Sequence, residues 1–141
     1  MEEQKSQTEN STVDITPKVT GIGGVFFDAE NLQETKDWYI KNLGIEFNDC
    51  GSSSFESRDL NNPEQINNMQ WKPFKSESNH FAPSQKGFMI NYRVQNLDGL
   101  IEKFKANGVT ILDDVATYDF GKFVHNLDAE GNKIELWEPA G

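Results

Sequence analysis

The chain has 141 residues, a formal net charge of −10 and only 35% hydrophobic residues, enough for one small domain whose core must lean on three Trp, three Tyr and ten Phe. So acidic a chain lacks the basic footprint of a nucleic-acid groove and of attachment to an anionic membrane surface. Cys50 is the only cysteine, which excludes an internal disulfide and argues against a cysteine-based metal site, and no apolar run reaches the roughly 18 residues of a membrane span.

Residues 1–17 are polar and acidic, with neither a basic leader nor an apolar stretch. They are expected to form a disordered tail on a cytoplasmic protein, ahead of a single domain over 18–141. Residues 19–28, rich in Val, Ile and Phe, are expected to form a strand; the glycines at 21, 23 and 24 signal a bulge or a close approach to the backbone. A helix is expected over 32–42, with Asn31 as N-cap and Gly44 as its stop. Its stripe of Leu32, Thr35, Trp38, Tyr39 and Leu43 reads as core. Residues 45–47 and 54–57 alternate like short antiparallel strands. Residues 69–75 read as a strand that Pro73 confines to an edge or a bulge, and 77–86 as a linker. Strand 87–94, helix 98–106, strand 109–112, a loop over 113–119, and strands 120–127 and 132–137 joined by a turn at 128–131 complete the pattern.

The two halves repeat one another. GGVFFDAENLQETKDWYIKNLGIEF (23–47) and FMINYRVQNLDGLIEKFKANGVTIL (88–112) each run from a strand through Asn-Leu into a helix closed by Gly and a β-branched residue. The expected fold is therefore α+β, two βαβββ modules (18–80 and 86–141) whose sheets form an open eight-stranded cleft.

The segments DWYIKNLGI (37–45), FMINYRVQNLD (88–98) and LDAEGNKIELWEP (127–139) resemble the glyoxalase / bleomycin-resistance / extradiol-dioxygenase superfamily, the vicinal-oxygen-chelate proteins. The resemblance spans about residues 19–139 and implies the paired-module cleft and, in many members, a homodimer. In members that do metal chemistry it also implies a divalent ion held by four side chains, acting as a Lewis acid on vicinal oxygens. Carried onto this chain, the first ligand falls on Gly24, the second at or beside Met89, the third within 69–75, and only the fourth matches, as Glu135. One carboxylate of four argues against a tightly held metal or other cofactor. His80 and His125 lie off these positions and read as structural histidines satisfied by partners.

Strand alternation from Gly24 turns Phe26 and Asp28 into the cleft, with Met89, Asn91 and Arg93 from the second module and Glu135 and Trp137 from the last strand; Trp71 is a further wall candidate. A mainly apolar pocket with a few convergent polar groups suits a small organic molecule. Arg93 offers a fork for a carboxylate or phosphate, or else pairs with Glu135 or Asp28 where a metal would sit. Tyr118 and Phe120 are candidates for a lid. The leading expectation is small-molecule binding in the cleft without the family's full metal site. The alternatives are a metal-dependent lyase, isomerase or dioxygenase of the lactoylglutathione-lyase type, with Glu135 as ligand or general base, and an assembly module without a ligand.

Overall fold

The computed structural model describes residues 14–140; most of the expected tail, residues 1–13, lies outside the described residues, as does residue 141. The elements in chain order are β1 (Lys18–Ala29), α1 (Leu32–Leu43), β2 (Ser53–Arg58), β3 (Ile66–Lys75), a 3-10 turn at Ser76–Ser78, β4 (Phe88–Gln95), α2 (Leu97–Asn107), β5 (Ala116–Tyr118), β6 (Gly121–Leu127) and β7 (Lys133–Pro139). The strands form one sheet in the order β2-β3-β1-β4-β7-β6-β5. Each half follows one plan: its first strand pairs in parallel with its last, β1 with β3 and β4 with β7. The halves join where β1 and β4 run antiparallel, through two bulges in β1.

The described sheet has seven strands where eight are expected. Residues 45–47 form no strand. Asn48 accepts hydrogen bonds from the backbone N–H groups of Cys50 and Ser52, which bends the chain into a turn, and Phe47 leaves the ladder to pack on Trp71. Residues 109–112 keep only one bridge, Ile111 to Asn126, and the strand forms instead at Ala116–Tyr118, inside the expected loop. Pro73 sits inside β3 without breaking it. Pairing with β2 runs only as far as Trp71, so Pro73 has a strand on one side only, beside Phe27 of β1, and is at the edge there. Residues 14–17 are not loose: Gln95 and Asn96 donate side-chain hydrogen bonds to the carbonyls of Thr16 and Ile15.

One face of the sheet carries the main core, Val94, Leu97, Leu100, Val124 and Leu136, closed by α2, with Leu97 fully buried. The helix starts where Asn96 caps Gly99 N–H and the Glu138 carboxylate accepts from Leu97 N–H at 2.7 Å. Helix α1 is looser than its stripe suggests. It contains no fully buried residue; Tyr39 packs on Phe27 and Trp71, while Trp38 is 54% exposed and Leu43 is also exposed.

So loose a helix depends on its ends. Asn31 accepts from Glu34 N–H at 3.0 Å, and Gly44 closes the last turn at φ +69°. Asn31→Ala should cost about 1 kcal/mol, read as a lower urea midpoint at unchanged slope. No change would mean that α1 does not need its cap.

Candidate functional site

Sheet register gathers the polar residues of the other face, the one turned away from the helices, into one row. Gln70 of β3 lies beside Gly24 of β1, Gly24 beside Asn91 of β4, Asn91 beside Glu135 of β7, and Glu135 beside His125 of β6. One pleat along, Gly21, Arg93, Trp137 and Phe123 form a second row, and on the other side Phe26 stands opposite Met89. Bulging of β1 turns both Gly23 and Gly24 toward this face. Asn91 Oδ1 and the Trp137 ring fill the space a side chain at Gly23 would take, which lets both lie flat on β1.

The centre of the first row is a hydrogen-bonded chain. Asn91 Nδ2 donates to Glu135 Oε1 at 2.6 Å, and Glu135 Oε2 meets His125 Nε2 at 2.8 Å. His125 Nδ1 lies 2.6 Å from Asp113 Oδ2. Carboxylate oxygens only accept, so an imidazole bonded on both nitrogens must carry both protons. Burial opposes that charge, but hydrogen bonds and charges from Glu135 and Asp113 together outweigh it and raise the His125 pKa. Burial likewise works to raise the pKa of Glu135; the hydrogen bonds from His125 and Asn91 overcome it and leave Glu135 below its ordinary value. Asn91 is buried and its Oδ1 has no partner.

Arg93 departs from both pairings expected for it. It is buried at 8% exposure and forms no ion pair among the described residues. Its Nη2 donates to the Asn68 carbonyl at 2.6 Å and its guanidinium stacks 4.7 Å over the Trp137 ring. Burial pulls its pKa down and the charge of Asp59 partly restores it, but Asp59 is turned toward the Asn61 and Asn62 N–H groups and the Asn67 amide.

Trp137 begins an aromatic wall. It lies parallel to Phe123 at 5.8 Å and its indole N–H donates to the Phe120 carbonyl at 2.9 Å. Phe123 meets Phe120 and Tyr118 edge-on, and those two exposed rings stack at 5.2 Å. Past the buried Met89, Phe26 packs edge-on against Phe74, on which His80 stacks at 4.1 Å beside the buried Phe81. The expected linker thus covers one end of this face, tied down where Lys133 Nζ donates to the His80 carbonyl.

Of the expected site residues, Phe26, Met89, Asn91, Arg93, Glu135 and Trp137 share the helix-free face. Trp71 does not. It pairs with Val25 rather than Gly24, so alternation sends it to the α1 side, among Phe27, Tyr39 and Phe47. Asp28 lies four residues beyond Gly24, about 13 Å along the strand. It lines a separate hollow of about 480 Å³ with Asn31, Glu34, Trp38 and Tyr39. A second hollow, about 450 Å³, lies under α2 beside Ile101 and Val124; neither contains Arg93 or Glu135. The helix-free face has the stronger claim because the buried charges are there. His125 is satisfied by partners, as expected, but the sequence reading did not place it beside Glu135. The turn over 128–131, held by Asp128, sets the hairpin register and puts His125 opposite Glu135, so counting back from that turn would have found it.

Beside a glycine, the row offers two amides, one carboxylate and one imidazole, and both carboxylate oxygens and both imidazole nitrogens are already hydrogen-bonded. Among the described residues, no three His, Cys, Asp or Glu are arranged to hold a metal ion. A tightly held first-row dication ordinarily takes about three protein ligands, which is more than this row offers.

No family model matches the sequence, and neither does any curated protein. The likeness is in three dimensions. Methylmalonyl-CoA epimerase from Streptomyces coelicolor superposes with a TM-score of 0.60 at 17% identity, covering 88% of this chain and 100% of that one. The enzyme of that name from Mycobacterium tuberculosis gives 0.56 at 21% identity, over 93% and 95%. A glyoxalase/bleomycin resistance protein/dioxygenase superfamily member from Vibrio splendidus gives 0.52 at 11%, over 87% and 99%. Such identities speak for architecture alone. The chain has the vicinal-oxygen-chelate fold, the architecture of the glyoxalase, bleomycin-resistance and dioxygenase superfamily.

Proposed function

We propose that this protein binds a small organic molecule against the helix-free face of its sheet, without a tightly held metal at the centre of that face. The observation that carries the reading is the continuity of the aromatic wall. It runs from the partly buried Trp137 through Phe123 to the exposed Phe120 and Tyr118, and it adjoins the polar row of Asn91, Glu135 and His125. An apolar surface flanked by fixed polar groups is the composition of a small-molecule site. Binding is favoured over metal-assisted turnover because Glu135 already spends both oxygens on hydrogen bonds and its proton affinity is held down, which makes it a weak general base. The protein is also proposed to be a homodimer, for which exposed Trp38, Ile40 and Leu43 along α1 supply apolar surface; sedimentation showing only monomer would remove that part.

The test is a fragment screen read by amide and indole NMR shifts on the full chain. Perturbations should cluster on Trp137, Phe123, Asn91 and Glu135. Clustering in the hollow by Glu34 and Trp38 would move the site elsewhere and sink the reading. Elemental analysis of protein prepared without chelator should show Zn, Ni, Fe and Mn well below one per chain. A stoichiometric ion lost in Glu135→Ala would overturn the metal-free part.

A further inference from the structure

Resting on that reading, we infer that the ligand is an organic anion: its carboxylate or phosphate is gripped by Arg93, and a flat unsaturated portion lies along the wall of Trp137, Phe123 and Phe120. A guanidinium has five N–H donors and cannot shed its charge. Here one donor is satisfied by a neutral backbone carbonyl, and no carboxylate among the described residues pairs with the group. Buried charge without a counter-ion is costly to a fold, and holding one carbonyl is a task any neutral donor performs. Of the Arg93 guanidinium nitrogens, only Nη2 has a hydrogen-bond partner among the described residues, which leaves Nε and Nη1 for a ligand.

The surroundings keep the fork turned toward a ligand. Stacking on Trp137 at 4.7 Å holds the guanidinium plane, and the bond to Asn68 holds one edge. Glu135, one pleat away, is held by His125 and Asn91, and Asp59, whose charge reaches Arg93, is turned toward the N–H groups of Asn61 and Asn62. Beside Arg93, the position of a Gly21 side chain is open space, with no atom within 4 Å. An anion with a planar tail would complete the missing ion pair and extend the ring stack outward from Trp137.

Three probes separate the components: trans-cinnamate, its neutral amide cinnamamide, and phenyl phosphate, each titrated calorimetrically and by NMR into the wild type, Arg93→Gln and Arg93→Lys. In the wild type at least one anion should bind about 10-fold or more tighter than cinnamamide, with Arg93→Gln erasing the difference and Arg93→Lys keeping part of it. Phenyl phosphate binding tighter than cinnamate would assign a phosphoryl group, and the reverse order a carboxylate. Without ligand, Arg93→Gln should melt at or above the wild-type temperature, because it removes an uncompensated charge. Equal binding of cinnamate and cinnamamide at this face, or an anion preference that survives Arg93→Gln, overturns the anion assignment and leaves the small-molecule reading standing. Failure of all three probes to shift Trp137 overturns both.

Discussion

Gly121→Ala should lower the unfolding free energy by about 3 kcal/mol, combining the cost of a left-handed backbone angle with that of a clash that cannot relax. Gly121 is buried at the start of β6 with φ +134°, a conformation that disfavours any side chain. An added Cβ would fall against the Glu138 carbonyl, 2.6 Å from Trp137 Nε1 and 3.0 Å from the Pro139 Cα. Two of these neighbours are backbone atoms of β7, held there by pairing with β6 and anchored up to Trp137 by pairing with β4, so they have little room to shift. The third is the indole nitrogen that holds Trp137 to Phe120, so the aromatic wall would move as well. Gly44→Ala is the control. It has a positive φ of +69° but no atom within 4 Å of an added Cβ, and it should cost about 1 kcal/mol, the conformational part alone. If denaturant melts give the two substitutions equal costs, the contact with β7 contributes nothing and the account of this corner fails.

What the sequence made legible, and what it hid, follows from which interactions are local. Helix ends are local: Asn31, Gly44, Asn96 and Gly108 announce both helices, and each caps as its position suggests. The duplication is legible because each half needs the same strand, cap and helix, and it carries the antiparallel meeting of β1 with β4. Alternation placed Asn91, Arg93, Glu135 and Trp137 on one face because β4 and β7 run through that stretch without a bulge. Trp71 was misplaced because β3 has no strong alternation of its own; its face is set by pairing with β1, a contact remote in sequence. Neighbours also decided the short strands. Asn48 diverts residues 45–47 into a turn, and pairing with β6 makes β5 of a three-residue segment too short to announce itself. The pairing of Arg93 was least legible of all. Whether an arginine finds a carboxylate depends on which groups have already claimed the candidates: Glu135 is held by Asn91, 44 residues away, and by His125 across a hairpin, and Asp59 by the N–H groups of Asn61 and Asn62.

That competition for Glu135 leads to the second large effect, a plateau in stability against pH made by His125 and Glu135. His125 has its pKa raised above the ordinary value near 6.5, despite burial, by the two carboxylates. Its stabilisation is fully present below the unfolded-state value and is lost as pH rises through the folded one. Glu135 has its pKa lowered, against its burial, by the hydrogen bonds from His125 and Asn91. Its contribution is present above the ordinary value of about 4.5 and is lost as pH falls through the folded one. Stability from the pair should therefore be greatest between about pH 4.5 and 6.5 and decline on both sides. His80 acts in the opposite sense, since burial lowers its pKa and acid works against the fold there, so the pair must be isolated by difference. Subtracting the His125→Asn stability curve from that of the wild type should leave a contribution of about 2 kcal/mol near pH 5.5 that shrinks above pH 7. This figure is below that of a fully buried pair because the His125 and Glu135 side chains keep 20% and 17% exposure. Glu135→Gln should erase most of that difference, and by freeing Asn91 and His125 it should also alter whatever binds beside Arg93. A difference curve flat from pH 4 to 9 would mean that the imidazole is neutral and one of its two carboxylate contacts is not a hydrogen bond.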